Sequence, residues 1–147
     1  MKQFLGLSLK LIKLEYIKKF IYLVPKVPRQ VNIEASNRCN LNCKMCKRRE
    51  LKIPETDIDF AKYKKIIDNL PKGVKEISFG GYGDPFMHPN IYEMIRYAKN
   101  SGFFVSITTN GFLFINHSNS ANLIESGLDE LRVSIEEVKE NEINVIG

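Results

Sequence analysis

Apolar and polar positions along this chain switch repeatedly between the period of a helix and that of a strand. Leu9, Ile12, Tyr16, Phe20 and Leu23 recur at spacings of three and four, one face of a helix. Pro25 and Pro28 end that helix and open a linker. Residues 30–35 read as a short strand, followed by a loop made polar by Asn37, Arg38, Asn40 and Asn42. Pro54, Thr56 and Asp57 then supply a break and a cap for a helix whose face is Phe60, Tyr63, Ile66, Ile67 and Leu70. Pro71 and Gly73 close it, and residues 74–79 alternate as a strand. The order then repeats. Ile91, Met94, Ile95 and Ala98 mark a helix ending near Gly102, residues 103–108 read as a strand, and Asn110-Gly111 turns the chain. A shorter helix at residues 121–126 and a fourth strand at 130–135 complete the pattern.

Strands alternating with helices at this spacing argue for an α/β fold of βαβ units, with about four parallel strands and right-handed crossovers. The N-terminal helix and linker, residues 1–29, precede a core spanning 30–147. In such folds chemistry gathers at the carboxyl ends of the strands. The polar loop, the glycine-containing segment 80–85, Asn110 and Ser134 all fall at such ends, so four loops converge on one edge.

Composition narrows the picture. A chain of 147 residues with 44% apolar content suits one compact domain. The net charge of +5 is too mild to argue for nucleic acid. Lys10, Lys13, Glu15, Lys18 and Lys19 interrupt the apolar N-terminal stretch, which also lacks the pattern of a secretory signal. A basic amphipathic helix packed on the domain is the first reading, and contact with a membrane surface the second. There are 3 cysteines, an odd number confined to residues 39–46, with no partners elsewhere for a disulfide framework. Reduced thiolates at a metal centre fit better, and they place the protein in the cytoplasm.

Cys39-Asn40-Leu41-Asn42-Cys43-Lys44-Met45-Cys46 is a CxxxCxxC arrangement, the most specific signal in the chain. An apolar cysteine face on a helix fits poorly, because no matching apolar stripe surrounds it. Structural zinc would need a fourth ligand, for which His88 and His117 are the only imidazoles. A cubane of four irons held by three thiolates instead leaves one iron without a protein ligand, whereas electron carriers normally fill all four positions. Gly81, Gly83 and Pro85 permit a sharp turn that brings backbone close to a ligand. This segment is not a dinucleotide fingerprint, since Phe86 stands where a third glycine would, and no Gly-Lys-Ser/Thr makes it a phosphate loop.

Taken in order, Asn32-Ile33-Glu34 through Cys46, Gly81-Tyr82-Gly83-Asp84-Pro85 and Thr109-Asn110-Gly111 resemble successive motifs of the radical S-adenosylmethionine superfamily. The resemblance covers residues 30–147 and implies the first part of a partial (βα) barrel. It implies a 4Fe–4S cluster on Cys39, Cys43 and Cys46, whose open iron chelates S-adenosylmethionine (AdoMet) for reductive cleavage to a 5′-deoxyadenosyl radical. Met45 matches a position beside the adenine, with gap filling by a flexible thioether as its ordinary alternative. Asp84 stands where the family more often has Glu, and its carboxylate is expected to face the AdoMet ammonium. Asn110 and Ser134 match positions that contact the cofactor or its ribose, although Asn-Gly is also a common turn pair and Ser134 also simply ends a strand. His88 follows the glycine loop, where a structural role is as natural as a place in the site. His117, Lys75, Glu136 and Glu137 read as solvated surface, as do the basic residues Lys44 and Lys47 to Arg49.

The resemblance further implies a one-electron donor of flavodoxin or ferredoxin type. It runs only through the fourth of six strands, so the core is expected to be truncated, with an exposed edge that a second chain would complete. The rival reading is a non-enzymatic module in which the cysteine loop holds zinc or a structural cluster.

Overall fold

The computed structural model describes residues 27–114 and 117–135. The N-terminal helix over Leu9 to Leu23 and the Glu136-Glu137 pair lie outside them. Strand β1 (Gln30–Ile33) is followed by helix α1 (Phe60–Asp68), strand β2 (Glu76–Phe79), helix α2 (Ile91–Asn100), strand β3 (Phe104–Thr109), helix α3 (His117–Glu125) and strand β4 (Glu130–Val133). All four strands are parallel and lie in the order β1-β2-β3-β4, an open sheet. No described helix is long and apolar enough to cross a membrane.

Register separates the two faces of this sheet. Ile33, Phe79 and Ile107 lie side by side across β1, β2 and β3, as do Ile77 and Val105. These buried residues pack with Tyr63 and Ile67 of α1 and with Ile91, Met94, Ile95 and Ala98 of α2 into one core. Tyr63 has its hydroxyl inside that core and donates it to the Met94 carbonyl at 2.8 Å, so burial leaves no polar atom unpaired and ties the two helices together. Successive strand residues point to opposite faces. The other face therefore carries Asn32, Ser78 and Ser106 in one row, with Glu130 beside them and Thr108 next to Arg132 one row further. A parallel sheet ordinarily buries apolar residues on both faces. Here the second face is mainly polar, with exposed Phe104 beside Glu76 as an apolar exception, and Ser106 Oγ donates to Glu76 at 3.1 Å.

The elements agree with the periodicity, and their boundaries moved where tertiary contacts intervened. Asp59 caps α1, accepting the Lys62 N–H at 2.9 Å, in place of Thr56 or Asp57. Asp57 is taken by Arg38, 19 residues back in the chain. Helix α3 starts at His117 and not at 121. On β4, Leu131 and Val133 are exposed. Replacing Asp59 with Ala removes the cap and should lower stability by about 1 kcal/mol, read from the urea midpoint at unchanged slope.

Candidate functional site

Each of the first three strands ends in a loop, and hydrogen bonds lock the three together. After β1, Ala35, Ser36 and Asn37 are buried. Asn37 holds the returning segment with three bonds: its N–H to the Thr56 carbonyl at 3.1 Å, its Nδ2 to the Pro54 carbonyl at 2.9 Å, and its Oδ1 accepting the Thr56 N–H at 2.7 Å. Arg38 extends the clamp. Its guanidinium meets both oxygens of Asp57, at 3.1 and 2.6 Å, and also donates to the Met87 carbonyl at 2.7 Å. Burial opposes ionisation of Asp57, but hydrogen bonds from Arg38 and Ser36 and the Arg38 charge outweigh it and hold the carboxyl below its ordinary value.

The three cysteines follow this clamp. All are free and half-buried, and the Cys46 N–H donates to the Cys43 carbonyl at 3.0 Å, which curls the loop. A further fold comes from Arg48, which donates to the Leu41 carbonyl at 3.3 Å and pairs with Glu55 at 3.2 Å. Lys44 and Lys47 are exposed, as expected, whereas the Arg48 side chain, expected at the solvated surface, is only 20% exposed because of these contacts. Met45 is 51% exposed, so it fills no core gap. Among the described residues, no group of three or more His, Cys, Asp or Glu side chains is arranged to hold a single metal ion. Three free thiols on one loop are the donor set that would hold an iron–sulfur cluster.

His88 does not join them. It is 3% exposed, its Nδ1 accepts the Asn90 N–H at 3.0 Å, and its Nε2 lies 2.9 Å from the Ile58 carbonyl, so both nitrogens are engaged away from the cysteines. Its role is structural, and it is not free to be the fourth ligand that zinc would require.

The glycine loop after β2 packs against the cysteine loop, backbone to backbone. Asp84 N–H donates to the Arg38 carbonyl at 2.8 Å. A Cβ on Gly83 would collide with the Ser36 carbonyl oxygen and come within 2.6 Å of the Arg38 carbonyl oxygen. The close approach that requires glycine here is thus to the chain just before Cys39, and not only to a ligand. Asp84 also differs from expectation. It is 2% exposed, and its carboxylate accepts the Thr109 hydroxyl at 2.7 Å, the Asn110 N–H at 2.9 Å and the Phe86 N–H at 3.0 Å. The group expected to face a ligand ammonium is turned inward, where it joins the glycine loop to the end of β3. Pro85 is buried at the start of a short turn, Pro85–Met87.

Asn110 completes the junction, with Nδ2 3.7 Å from Cys39 Sγ and 2.9 Å from Asn40 Oδ1. Ser134 is exposed and connects through the sheet alone, its N–H donating to the Thr109 carbonyl at 2.9 Å. Cysteine loop, glycine loop and Asn110 are therefore brought together. Met45 and Ser134 stand exposed at the margin. Four contributors escaped sequence reasoning: Asn37, Arg38, Thr109 and Glu34, whose Oε1 accepts the Tyr82 N–H at 2.6 Å. Glu34, Asn37 and Arg38 lie within the segment from Asn32 to Cys46 and Thr109 directly precedes Asn110, yet only long-range pairing gives them roles.

Two outcomes follow from this packing. Gly83→Ala should displace the cysteine loop, seen as faster alkylation of the three thiols, whereas Gly81→Ala should have a smaller effect because its new Cβ meets the flexible Glu34 side chain. Equal alkylation rates in wild type and Gly83→Ala would refute this. The lowered Asp57 value means that its stabilisation is complete above its unfolded value of about 4 and is lost as pH falls through the folded one. Amide exchange at Asn37 and Arg38 should lose protection in that acid range, and Asp57→Asn should remove the pH dependence.

Comparison with known proteins agrees with this geometry. The radical SAM superfamily pattern matches residues 33–146. A tungsten-containing aldehyde ferredoxin oxidoreductase cofactor-modifying protein of Pyrococcus furiosus is 37% identical over 106 residues, which are 71% of this chain and 30% of that protein. A GTP 3′,8-cyclase of Chlorobaculum tepidum is 35% identical over 109 residues, 72% of this chain and 32% of the cyclase. The chain thus spans about a third of the length of these relatives. BtrN, solved in complex with AdoMet and 2-DOIA, superposes with a TM-score of 0.68 at 22% identity, covering 84% of this chain and 52% of BtrN, a likeness of fold. A 4Fe–4S cluster and AdoMet are the cofactors that these comparisons support. With its three-cysteine loop at the carboxyl edge of a parallel sheet, the chain belongs to the radical SAM superfamily.

Proposed function

We propose that this chain binds a 4Fe–4S cluster through Cys39, Cys43 and Cys46, and AdoMet along the adjoining strand ends. The observation that carries the reading is the interlock of the three-thiol loop with the glycine loop and Asn110. When bound, the cluster supplies one electron for reductive cleavage of AdoMet to methionine and a 5′-deoxyadenosyl radical. The chain's own residues contribute position. Arg38 and Asn37 anchor the cysteine loop, Gly83 lets the two loops meet, and Asp84 fixes the end of β3. The edge around Met45, Gly81, Gly83 and Ser134 is left to AdoMet, whereas Pro85, expected beside it, is buried.

Relatives that share this segment are named for different substrates, among them a GTP cyclase, a heme synthase and a peptide cyclase. What they have in common with this chain is about a third of their length, so the shared segment carries the common cofactor chemistry and not the choice of substrate. A one-electron donor of flavodoxin or ferredoxin type is the partner this chemistry needs, and reduced thiolates suit the cytoplasm.

Anaerobic reconstitution tests the reading. Wild type should take up iron and sulfide with the visible absorption of a cluster, and release 5′-deoxyadenosine from AdoMet under a strong reductant. Each of Cys39→Ala, Cys43→Ala and Cys46→Ala should lose most of the iron. Stoichiometric zinc with no iron or sulfide would sink the proposal and favour a metal-binding interaction module.

A further inference from the structure

Asn110 stands at a strand end where a cofactor contact is expected, yet its side chain is already committed. Its Nδ2 lies 3.7 Å from Cys39 Sγ and 2.9 Å from Asn40 Oδ1, and its Oδ1 accepts the Phe112 N–H at 2.9 Å. A side-chain amide has two donor hydrogens, and these two contacts use both. Its backbone is held as well, because the Asn110 N–H donates to buried Asp84 at 2.9 Å. The amide is therefore aimed from three sides: by the strand end, by Asn40 and by the turn to Phe112.

The sulfur it meets is distinct among the three. Cys39 Sγ also accepts the Leu41 N–H at 3.4 Å, while among the described residues the Cys43 and Cys46 sulfurs receive no hydrogen bond. A role in the turn would need the Asn110 backbone and its Oδ1, and a tie between the loops only the Nδ2 hydrogen given to Asn40, which leaves the one directed at sulfur unaccounted for.

We propose that Asn110 is a redox-positioning residue, whose amide donates to the Cys39 sulfur and raises the reduction potential of the cluster which that sulfur ligates. The inference rests on the cluster-binding reading above and adds to it the residue that tunes the centre. An N–H dipole directed at a thiolate stabilises negative charge on sulfur, and that charge is larger after the cluster gains an electron. The bond thus favours the reduced form. One electron enters from an external donor, and no bond or proton changes at Asn110.

The test is an electron paramagnetic resonance titration of the reconstituted full chain with dithionite, without AdoMet. Asn110→Ala removes the donor and should lower the potential at unchanged iron content. Asn110→Asp keeps the shape and the acceptor for the Phe112 N–H but puts a carboxylate beside the sulfur, so its potential should fall further. Asn40→Ala leaves the sulfur contact in place and should shift the potential least. Wild-type potentials in both Asn110 variants at full iron content would overturn the assignment.

A second measurement decides if those variants fail to hold the cluster. A chain carrying Asn40→Ala and Asn42→Ala, the asparagines beside Cys39 and Cys43, and labelled with 15N in the remaining asparagine side-chain amides should show a 15N coupling to the reduced cluster by pulsed resonance, and absence of that coupling overturns the assignment. The two levels of the argument fail separately. A wild type that assembles no cluster overturns the cluster-binding reading and this assignment with it, whereas a loaded wild type with unshifted variants overturns this assignment alone.

Discussion

The buried carboxylate of Asp84 is the constraint on which the site depends. It has no cationic partner among its hydrogen bonds, and it is satisfied by one hydroxyl and two backbone N–H groups drawn from its own turn and from the end of β3. Leaving a buried donor unpaired costs about 1–3 kcal/mol. Three donors converging on one residue therefore outweigh the preferences of any single turn, and they fix where β3 ends relative to the glycine loop. From that point the order passes outward. The Asp84 N–H reaches the chain before Cys39, and Asn110, seated on the carboxylate, reaches Cys39 itself. The three half-buried thiols thus sit on a loop whose position is set by a group with no sulfur and no ligand of its own.

This arrangement explains why some of the molecule was legible in the sequence and some was not. Strand alternation is a local signal. Ile77 and Phe79, or Val105 and Ile107, announce a buried face within a few residues, and the helix face of Ile91, Met94, Ile95 and Ala98 does the same. The cysteine spacing is equally local. Asp84 and Gly83 are different, because apart from the Phe86 N–H their contacts lie 25 or more residues away and nothing in the Gly-Asp-Pro turn says whether the carboxylate points out to a ligand or in to Thr109. Asp57 was misread for the same reason. As a helix cap it satisfies a local rule, and Arg38 overrides that rule from another loop. Helix α3 began earlier than expected because His117, Ser118, Asn119 and Ser120 give no apolar period by which to place its start.

The polar face of the sheet was also present in the sequence, in the intervening residues Ser78, Ser106 and Thr108, but a parallel sheet is ordinarily apolar on both sides and this hides its meaning. Stability comes from the other face, where α1 and α2 cover the aliphatic rows. The polar rows hold hydroxyls on the central strands and charges toward β4, with Arg132 paired to Glu130 at 2.7 Å and reaching Glu76 at 3.9 Å. Ser78 and Ser106 on these rows are already withdrawn from water, at 6% and 0% exposure, so each hydroxyl left unpaired there would cost about 1–3 kcal/mol. The same rows run up the strands to Gly80, Asn110 and Ser134, so the polar face is continuous with the strand ends at which the cysteine and glycine loops meet.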